Sequence, residues 1–176
     1  MPDVEKKWGR SLLWLCLKFA VLAPICLILW LLLLPYYASL ITHVSAFVLR
    51  VLFHYPISTA GAVAGGFLNT GTTIEFHLPG VTRSMPDLGR LTTNLAPFIA
   101  LTLATTGITM RRRLGVLLIG TPIILLSHLI TIIFRFTEGR SPLPTAIGFI
   151  SITLPFLLWI VLAYWEKLAA LLQEKA

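Results

Sequence analysis

The sequence predicts an all-α integral membrane protein: four transmembrane helices, one interfacial amphipathic helix and a small extracytoplasmic β-strand or hairpin. Three observations carry this expectation. Of 176 residues, 57% are hydrophobic and only 12% are charged, with a mean hydropathy of +0.88; soluble domains carry about 25% charged residues. Long stretches lack any charge, among them Asn94 to Met110 and Leu114 to Phe134. A basic triplet, Arg111-Arg112-Arg113, separates those two stretches. Guanidinium groups are costly in hydrocarbon and are retained in short cytoplasmic segments, so the triplet is the topology anchor of the whole chain.

The elements follow in order as one membrane domain over residues 1–176. Residues 1–10 are polar and mixed in charge. Residues 11–35 read as a first transmembrane helix, too long and too Leu-rich for a signal-peptide core and closed by no small-residue cleavage site. Trp8, Trp14, Tyr36 and Tyr37 fall near its ends, where aromatic belts form. Lys18 lies about two turns inside and reaches the cytoplasmic face by snorkelling. In residues 37–55 the apolar positions Leu40, Ile41, Val44, Phe47, Val48, Val51 and Leu52 recur at helical spacing, with His43, Arg50 and His54 elsewhere on the wheel. That pattern suits an amphipathic helix lying in the interface, with a full span as the rival reading. Orientation favours the interface, because a single crossing takes the chain from a cytoplasmic Lys6, Lys7 and Arg10 to the outer side.

Residues 57–92 form the sizeable polar segment, extracytoplasmic and broken by Gly61, Gly65, Gly66, Gly71, Gly80 and Gly89. Thr72 to Leu78 alternates polar and apolar, and Pro79-Gly80 signals a turn, which predicts one strand or a short hairpin. Residues 93–110 are the second span, with Pro97 at a first-turn position. Residues 114–135 are the third, with Pro122 and His128 inside it. Residues 144–165 are the fourth, with a kink expected at Pro155. Residues 166–176 form a charged cytoplasmic tail, so both termini lie inside.

The formal net charge of +7 fits the positive-inside rule and contact with anionic headgroups. No basic run is interleaved with aromatics in a polar domain, so nucleic acid is not an expected partner. Membrane lipids and other membrane protein subunits are. Cys16 and Cys26 both lie in the first apolar stretch, roughly 15 Å apart along a helix, too far to pair within it. No CxxC, HExxH, GxSxG or phosphate loop occurs, and no cofactor or metal is expected.

The residues able to carry chemistry sit at the outer ends of spans two and three. Asn94 opens span two, His128 lies inside span three, and Arg135 ends it. His128 and Arg135 are seven residues apart, hence on one helix face, and the three together would line a cleft open to the outer surface. Each also has a plain structural role: Asn94 as an N-cap, His128 bonding a carbonyl across the bundle, Arg135 at a helix C-terminus reaching headgroup phosphates. Thr102, Thr105, Thr106 and Thr109 are expected to satisfy backbone carbonyls or pack between helices. Glu75 and His77 share a strand face, too few ligands for a metal. His43 and His54 read as interfacial residues rather than as ligands of a haem or chlorin.

From Gly71 to Phe136 the layout resembles the exosortase/archaeosortase family, multi-spanning proteins thought to act as transpeptidases on C-terminal sorting signals. The matching pieces are the strand region TTIEFHLPG, the helix opening TTNLAPFIALTLATT, the basic turn RRRLG and the helix IILLSHLITIIFR. The 41-residue separation of Asn94 and Arg135 is close to that family's Cys-to-Arg spacing. The resemblance covers about 65 of the 176 residues and implies a catalytic Cys at the position of Asn94 and an essential Arg at Arg135. Asn94 has no thiolate and cannot form a thioester, and residues 144–165 hold neither the His nor the Arg that the family uses in a later span. The resemblance therefore implies a degenerate member in which Asn94, His128 and Arg135 are vestigial. The expected function is that of a non-catalytic accessory or assembly subunit in a bacterial inner membrane, contacting partners through small-residue faces such as Gly107 and Gly115. The alternatives are exosortase-like processing of sorting signals, or an oligomeric transporter or lipid-handling protein.

Overall fold

The structure is a computed structural model that describes residues 2–63, 72–85, 92–138 and 142–173, with side chains described between Leu13 and Tyr164 of those ranges. It is mostly helical. Helix α1 (Pro2–Val51) leads into strands β1 (Thr59–Val63), β2 (Thr73–Leu78) and β3 (Val81–Met85), followed by α2 (Leu95–Ala104), α3 (Met110–Thr137) and α4 (Leu143–Gln173). Three helices are long and apolar enough to cross a membrane: α1 over Leu13–Val51, α3, and α4 over Leu143–Tyr164.

Two boundaries differ from expectation. The first span and the interfacial helix 37–55 are a single helix, which runs through Pro35 without a break. Proline costs one backbone bond inside a helix. Here the turns beyond it are held by tertiary packing, with Ala38, Ile41, Ala46 and Leu49 buried against the sheet and the end of α3. Leu40, Val44, Phe47 and Val51 stay exposed, so the apolar set read as one interfacial face is split between two faces. The second span, expected over 93–110, is helical for ten residues only. That is about 15 Å of rise against a hydrocarbon core of about 30 Å. It stops where Thr105 turns extended (ψ 124) and Gly107 takes φ 80, a left-handed value that suits glycine.

The polar segment holds a three-stranded antiparallel sheet of order β1-β2-β3, more than the expected strand or hairpin. Only β2 shows the alternation on which the expectation rested: Ile74 and Phe76 are buried, Glu75 and His77 face out. Strand β1, TAGAV, is too small and too glycine-containing to read as a strand, and β3, VTRSM, is largely exposed. Leu78 pairs with Val81, so Pro79 and Gly80 form a two-residue turn. Proline fixes a negative φ and Gly80 supplies φ 78, the pairing a type II turn requires. Gly65, Gly66, Gly71 and Gly89 lie outside the described residues.

The sheet rests on the C-terminal half of α1. Arg50 donates from Nε to the Ile57 carbonyl (2.7 Å) and from its terminal nitrogen to the Ser58 carbonyl (2.8 Å), tying the helix end to the start of β1. His54, at φ 55, reverses the chain between them. Arg83 on β3 donates to the Phe136 carbonyl (2.8 Å) and lies over the Phe136 ring at 4.9 Å. A cation thus meets the negative end of the α3 dipole.

Helix order follows from the contacts. Along α1, Trp30 and Leu34 share a cluster with Val116 and Ile124, and Ala38 to Leu49 share one with Ile132 and Phe136. Helices α1 and α3 therefore run parallel, from an end marked by the arginines to an end marked by the sheet. Helices α2 and α4 run back. The arginines do not form a turn between helices, as expected; Arg111, Arg112 and Arg113 occupy the first turn of α3. Thr109 is its N-cap and accepts from the Arg112 N–H (3.4 Å), and Arg113 donates to the Thr105 carbonyl (2.8 Å).

Helix α2 lies close against α3 at Gly120. A side chain there would meet the ring of Phe98, which is fully buried. Of the small residues expected to contact partners, Gly107 lies in the turn after α2, and a Cβ added at Gly115 would meet no atom of this chain.

Candidate functional site

The polar groups of the apolar bundle converge at one level. Asn94 begins α2 but does not cap it, since its backbone is already helical and its side chain makes no capping bond. The amide reaches across the bundle instead. Its Nδ2 donates to the Ser151 carbonyl on α4 at 2.7 Å, and its Oδ1 lies 2.9 Å from His128 Nε2 on α3. On the other side of the ring, His128 Nδ1 lies 2.9 Å from the hydroxyl of Tyr37 on α1.

These contacts have a direction. A backbone carbonyl can only accept, so the Asn94 NH₂ faces Ser151 and its carbonyl faces the ring. The facing ring atom must therefore carry a proton. Neither ring contact is charged, and a neutral imidazole has one donor and one acceptor, so the Tyr37 O–H donates to Nδ1. The chain reads Tyr37 to His128 to Asn94 to Ser151. A second link runs beside it: Ser127 donates to the Ile124 carbonyl (2.7 Å), which leaves Ser151 Oγ to donate to Ser127 Oγ at 3.0 Å. Side chains from all four helices are thereby joined within a few ångströms. His128 is fully buried and Asn94 nearly so.

The proposed partnership of Asn94, His128 and Arg135 is met in part. Asn94 and His128 bond directly. Arg135 stands in the last turn of α3, two turns from His128 and half-buried. The cation that reaches the terminal carbonyl of Phe136 belongs to Arg83, not Arg135. Tyr37, placed from sequence in the aromatic belt, and Ser151 are the members of the chain that sequence reasoning missed. For Tyr37 the only signal was a tyrosine next to an apolar stretch, which belt residues share.

No thiol approaches this level. Cys26 precedes Tyr37 by eleven residues, about 16 Å down the helix axis, and Arg135 lies about 10 Å beyond His128 in the other direction. Cys16 is a further ten residues away, nearly three turns, and exposed. Thr102 and Thr105 satisfy carbonyls four residues back, at 2.8 and 2.7 Å. His43 bonds the Ser39 carbonyl (2.7 Å) from an exposed position. His77 Nε2 stands 4.0 Å from Glu75 on the outer sheet face, with Nδ1 2.9 Å from Thr82. Among the described residues, no group of three or more His, Cys, Asp and Glu side chains is arranged to hold a metal.

Two surface features frame the buried chain. An apolar groove of about 580 Å³ opens between α1, α2 and α4, lined by Pro24, Leu27, Asn94, Pro97, Ile152 and Phe156 among others. Alongside it, α1 buries no side chain from Leu13 to Leu29. Trp30, the first buried residue, packs at 5.1 Å against Tyr37, and its indole N–H has no hydrogen-bond partner.

No curated protein and no solved structure matches this chain. The model of a family described as exosortase H-associated membrane protein matches residues 9–139, which includes α1, the sheet, α2 and α3. The expected likeness to exosortases is refined accordingly: the match is to a protein associated with an exosortase, not to an exosortase that has lost its cysteine. With about three quarters of its length covered, including every residue of the Tyr37–His128–Asn94 chain, the protein belongs to the exosortase H-associated membrane protein family.

Proposed function

We propose that this protein is a non-catalytic subunit that docks onto another membrane protein of the exosortase system through the bare half of α1 and the adjoining groove. The observation that carries the reading is the run from Leu13 to Leu29, in which no side chain is buried. Seventeen residues at 1.5 Å cover about 25 Å, most of a hydrocarbon core. A groove with an almost wholly apolar lining beside that surface fits an apolar helix of a partner. The buried chain supports the same reading from the other side. Both ring nitrogens of His128 and both ends of the Asn94 amide are bonded within the bundle, which suits a device that locks four helices in register rather than a reacting centre.

In this reading the chain crosses a bacterial inner membrane four times, the arginine end and both termini are cytoplasmic, and the sheet lies outside. Parity supports it: the sheet sits at one end of the bundle and Met110 at the other, so residues 92–109 must return the chain although α2 is short. The non-helical part of that return is sheltered. The Thr105 N–H bonds the Leu101 carbonyl (3.0 Å), its hydroxyl accepts from Trp159 Nε1 (2.8 Å), and its carbonyl accepts from Arg113. Irregular backbone at membrane depth is tolerated where protein covers it in this way.

The test is site-directed photocrosslinking in cells that express the chain together with exosortase H. A photoreactive residue at Val21 or Ile28 should crosslink to a membrane protein of that system, and one at Leu49 should not. A Val21 probe that reacts with lipid alone, in a chain that runs as a monomer, would sink the reading.

A further inference from the structure

Four prolines stand in helix interiors: Pro24 and Pro35 in α1, Pro122 in α3 and Pro155 in α4. The first three are exposed, and only Pro155 is buried. A proline has no N–H to give, so the carbonyl four residues before it loses its partner in the helix. At membrane depth such a carbonyl is satisfied from elsewhere, a neighbouring helix among the sources. For Pro155 the carbonyl is that of Ser151, the one that accepts from the Asn94 amide at 2.7 Å. Asn94 thus supplies from the start of α2 the donor that α4 lacks.

We propose that Pro155 is a positioning residue for the docking groove. By withholding its N–H it hands the Ser151 carbonyl to Asn94, and that bond fixes the rotation of α4 that presents Ile152 and Phe156 to the groove. The inference rests on the docking reading above and adds to it the residue that shapes the groove.

Spacing along α4 connects the bond to the groove. Ser151 and Pro155 are four residues apart and both buried, so they share the inward face of the helix. Ile152 and Phe156 each follow one of them, about 100° further round the helix. Both are exposed and both line the groove. Asn94 lines the same groove, with Ala96 and Pro97 after it on α2. One hydrogen bond therefore joins the α2 wall of the groove to its α4 wall.

A second bond holds the same residue. Ser151 Oγ meets Ser127 Oγ on α3 at 3.0 Å. Backbone and side chain of Ser151 are thus held by two different helices, which fixes α4 in rotation as well as in height. With an ordinary residue at position 155, its N–H would bond the Ser151 carbonyl within α4, as in any regular helix turn, and the Asn94 amide would compete for an acceptor already engaged. Helix α4 lies beyond the matched residues 9–139, so the family match assigns no role to Ser151 or Pro155.

The test has two arms. In maltoside micelles, the melting temperature of the purified full chain is compared for the parent, Asn94→Ala, Pro155→Ala and the double variant. Asn94→Ala takes the donor from the Ser151 carbonyl in the parent, but beside Pro155→Ala residue 155 has an N–H to replace it. The fall in melting temperature caused by Asn94→Ala should therefore be about halved in that background, the lost bond to His128 being common to both and cancelling. Equal falls in the two backgrounds overturn the pairing of Asn94 with Pro155. Should Asn94→Ala fold only beside Pro155→Ala, the pairing is shown outright; should it fold in neither, the second arm decides, since it uses Pro155→Ala alone. That arm is photocrosslinking in cells that express exosortase H, from a probe at Leu27, which lines the groove, and one at Val21, which does not. Pro155→Ala should cut the Leu27 crosslink about tenfold, the effect of a misfitted apolar contact, and leave the Val21 crosslink as it was. An unchanged Leu27 crosslink overturns the positioning role and leaves Pro155 a structural residue only. Should neither probe crosslink in the parent, the docking reading has failed and the groove role falls with it, whereas the melting temperatures still decide the pairing.

Discussion

From Leu13 to Leu29, α1 buries no side chain, whereas from Trp30 to Leu49 it buries one face turn after turn: Trp30, Leu34, Ala38, Ile41, Ala46 and Leu49. The two halves are alike in sequence character, both rich in Leu, Ile, Val and aromatics. They differ in what they meet. The second half meets α2, α3 and the sheet, and it carries Tyr37 into the buried polar chain. The first half is only partly covered: Cys26 packs against the second cluster, Pro24 and Leu27 border the groove, and no side chain there is fully buried. An apolar residue facing lipid and one facing protein are chemically equivalent choices, because lipid tails are as apolar as leucine. What separates the halves is the shape and bonding of the surroundings: small Ala38 and Ala46 where α1 is closely approached, polar Thr42 and Ser45 bonding carbonyls one turn back at 2.7 and 2.6 Å. The packed half holds the fold, and the half with no buried side chain is where the proposed function places a partner.

That contrast breaks most visibly in the packed half. Leu49→Ala empties a fully buried position between α1 and the sheet and should cost about 2–5 kcal/mol, seen as early unfolding in a detergent denaturation series. His128→Ala comes next. It orphans the Tyr37 hydroxyl and the Asn94 carbonyl, at about 1–3 kcal/mol for each buried group left unpaired. The same experiment reads it, and Asn94→Ala in that background should add less than it does alone, because the two share a bond. Gly120→Ala pushes against the buried Phe98 ring and should cost about 1–3 kcal/mol; the melting temperature falls while secondary structure by circular dichroism is kept. Tyr37→Phe removes one hydroxyl and leaves one ring nitrogen unpaired, at about 1 kcal/mol. Val21→Ala with Ile28→Ala, on the bare half, should move stability by no more than about 0.5 kcal/mol while weakening association with the partner. A large stability loss from that last pair would erase the distinction between the halves.

The legible parts of the fold were those encoded locally. The Pro79-Gly80 turn and the alternation of β2 follow from backbone limits and from period-two patterning. Strands β1 and β3 were not legible, because TAGAV and VTRSM bury no alternating face and pair only with the edges that β2 offers. The break of α2 after Ala104 was hidden for a related reason: Thr105 and Thr106 read as span residues, and the bonds that let the backbone leave the helix come from Arg113 and Trp159, distant in sequence or on another helix. Of the candidate site, Asn94 and His128 were visible as polar residues in apolar runs. Tyr37 and Ser151 were not, since tyrosine at a membrane boundary and serine in a span each have common plain roles.

The sequence by itself determined the solvent of this protein, the position of its arginine anchor and the two polar side chains that an apolar environment cannot leave unpaired. Those properties belong to single residues and short windows. Only the tertiary structure decided that residues 2–51 form a single helix with a packed half and a bare half, that Asn94 bonds His128 rather than capping its own helix, and that the arginines open α3 rather than forming a turn. Each of those outcomes depends on which distant segments meet, and in a chain where nearly every segment is apolar, hydropathy cannot choose among the possible meetings; shape and the pairing of buried polar groups do.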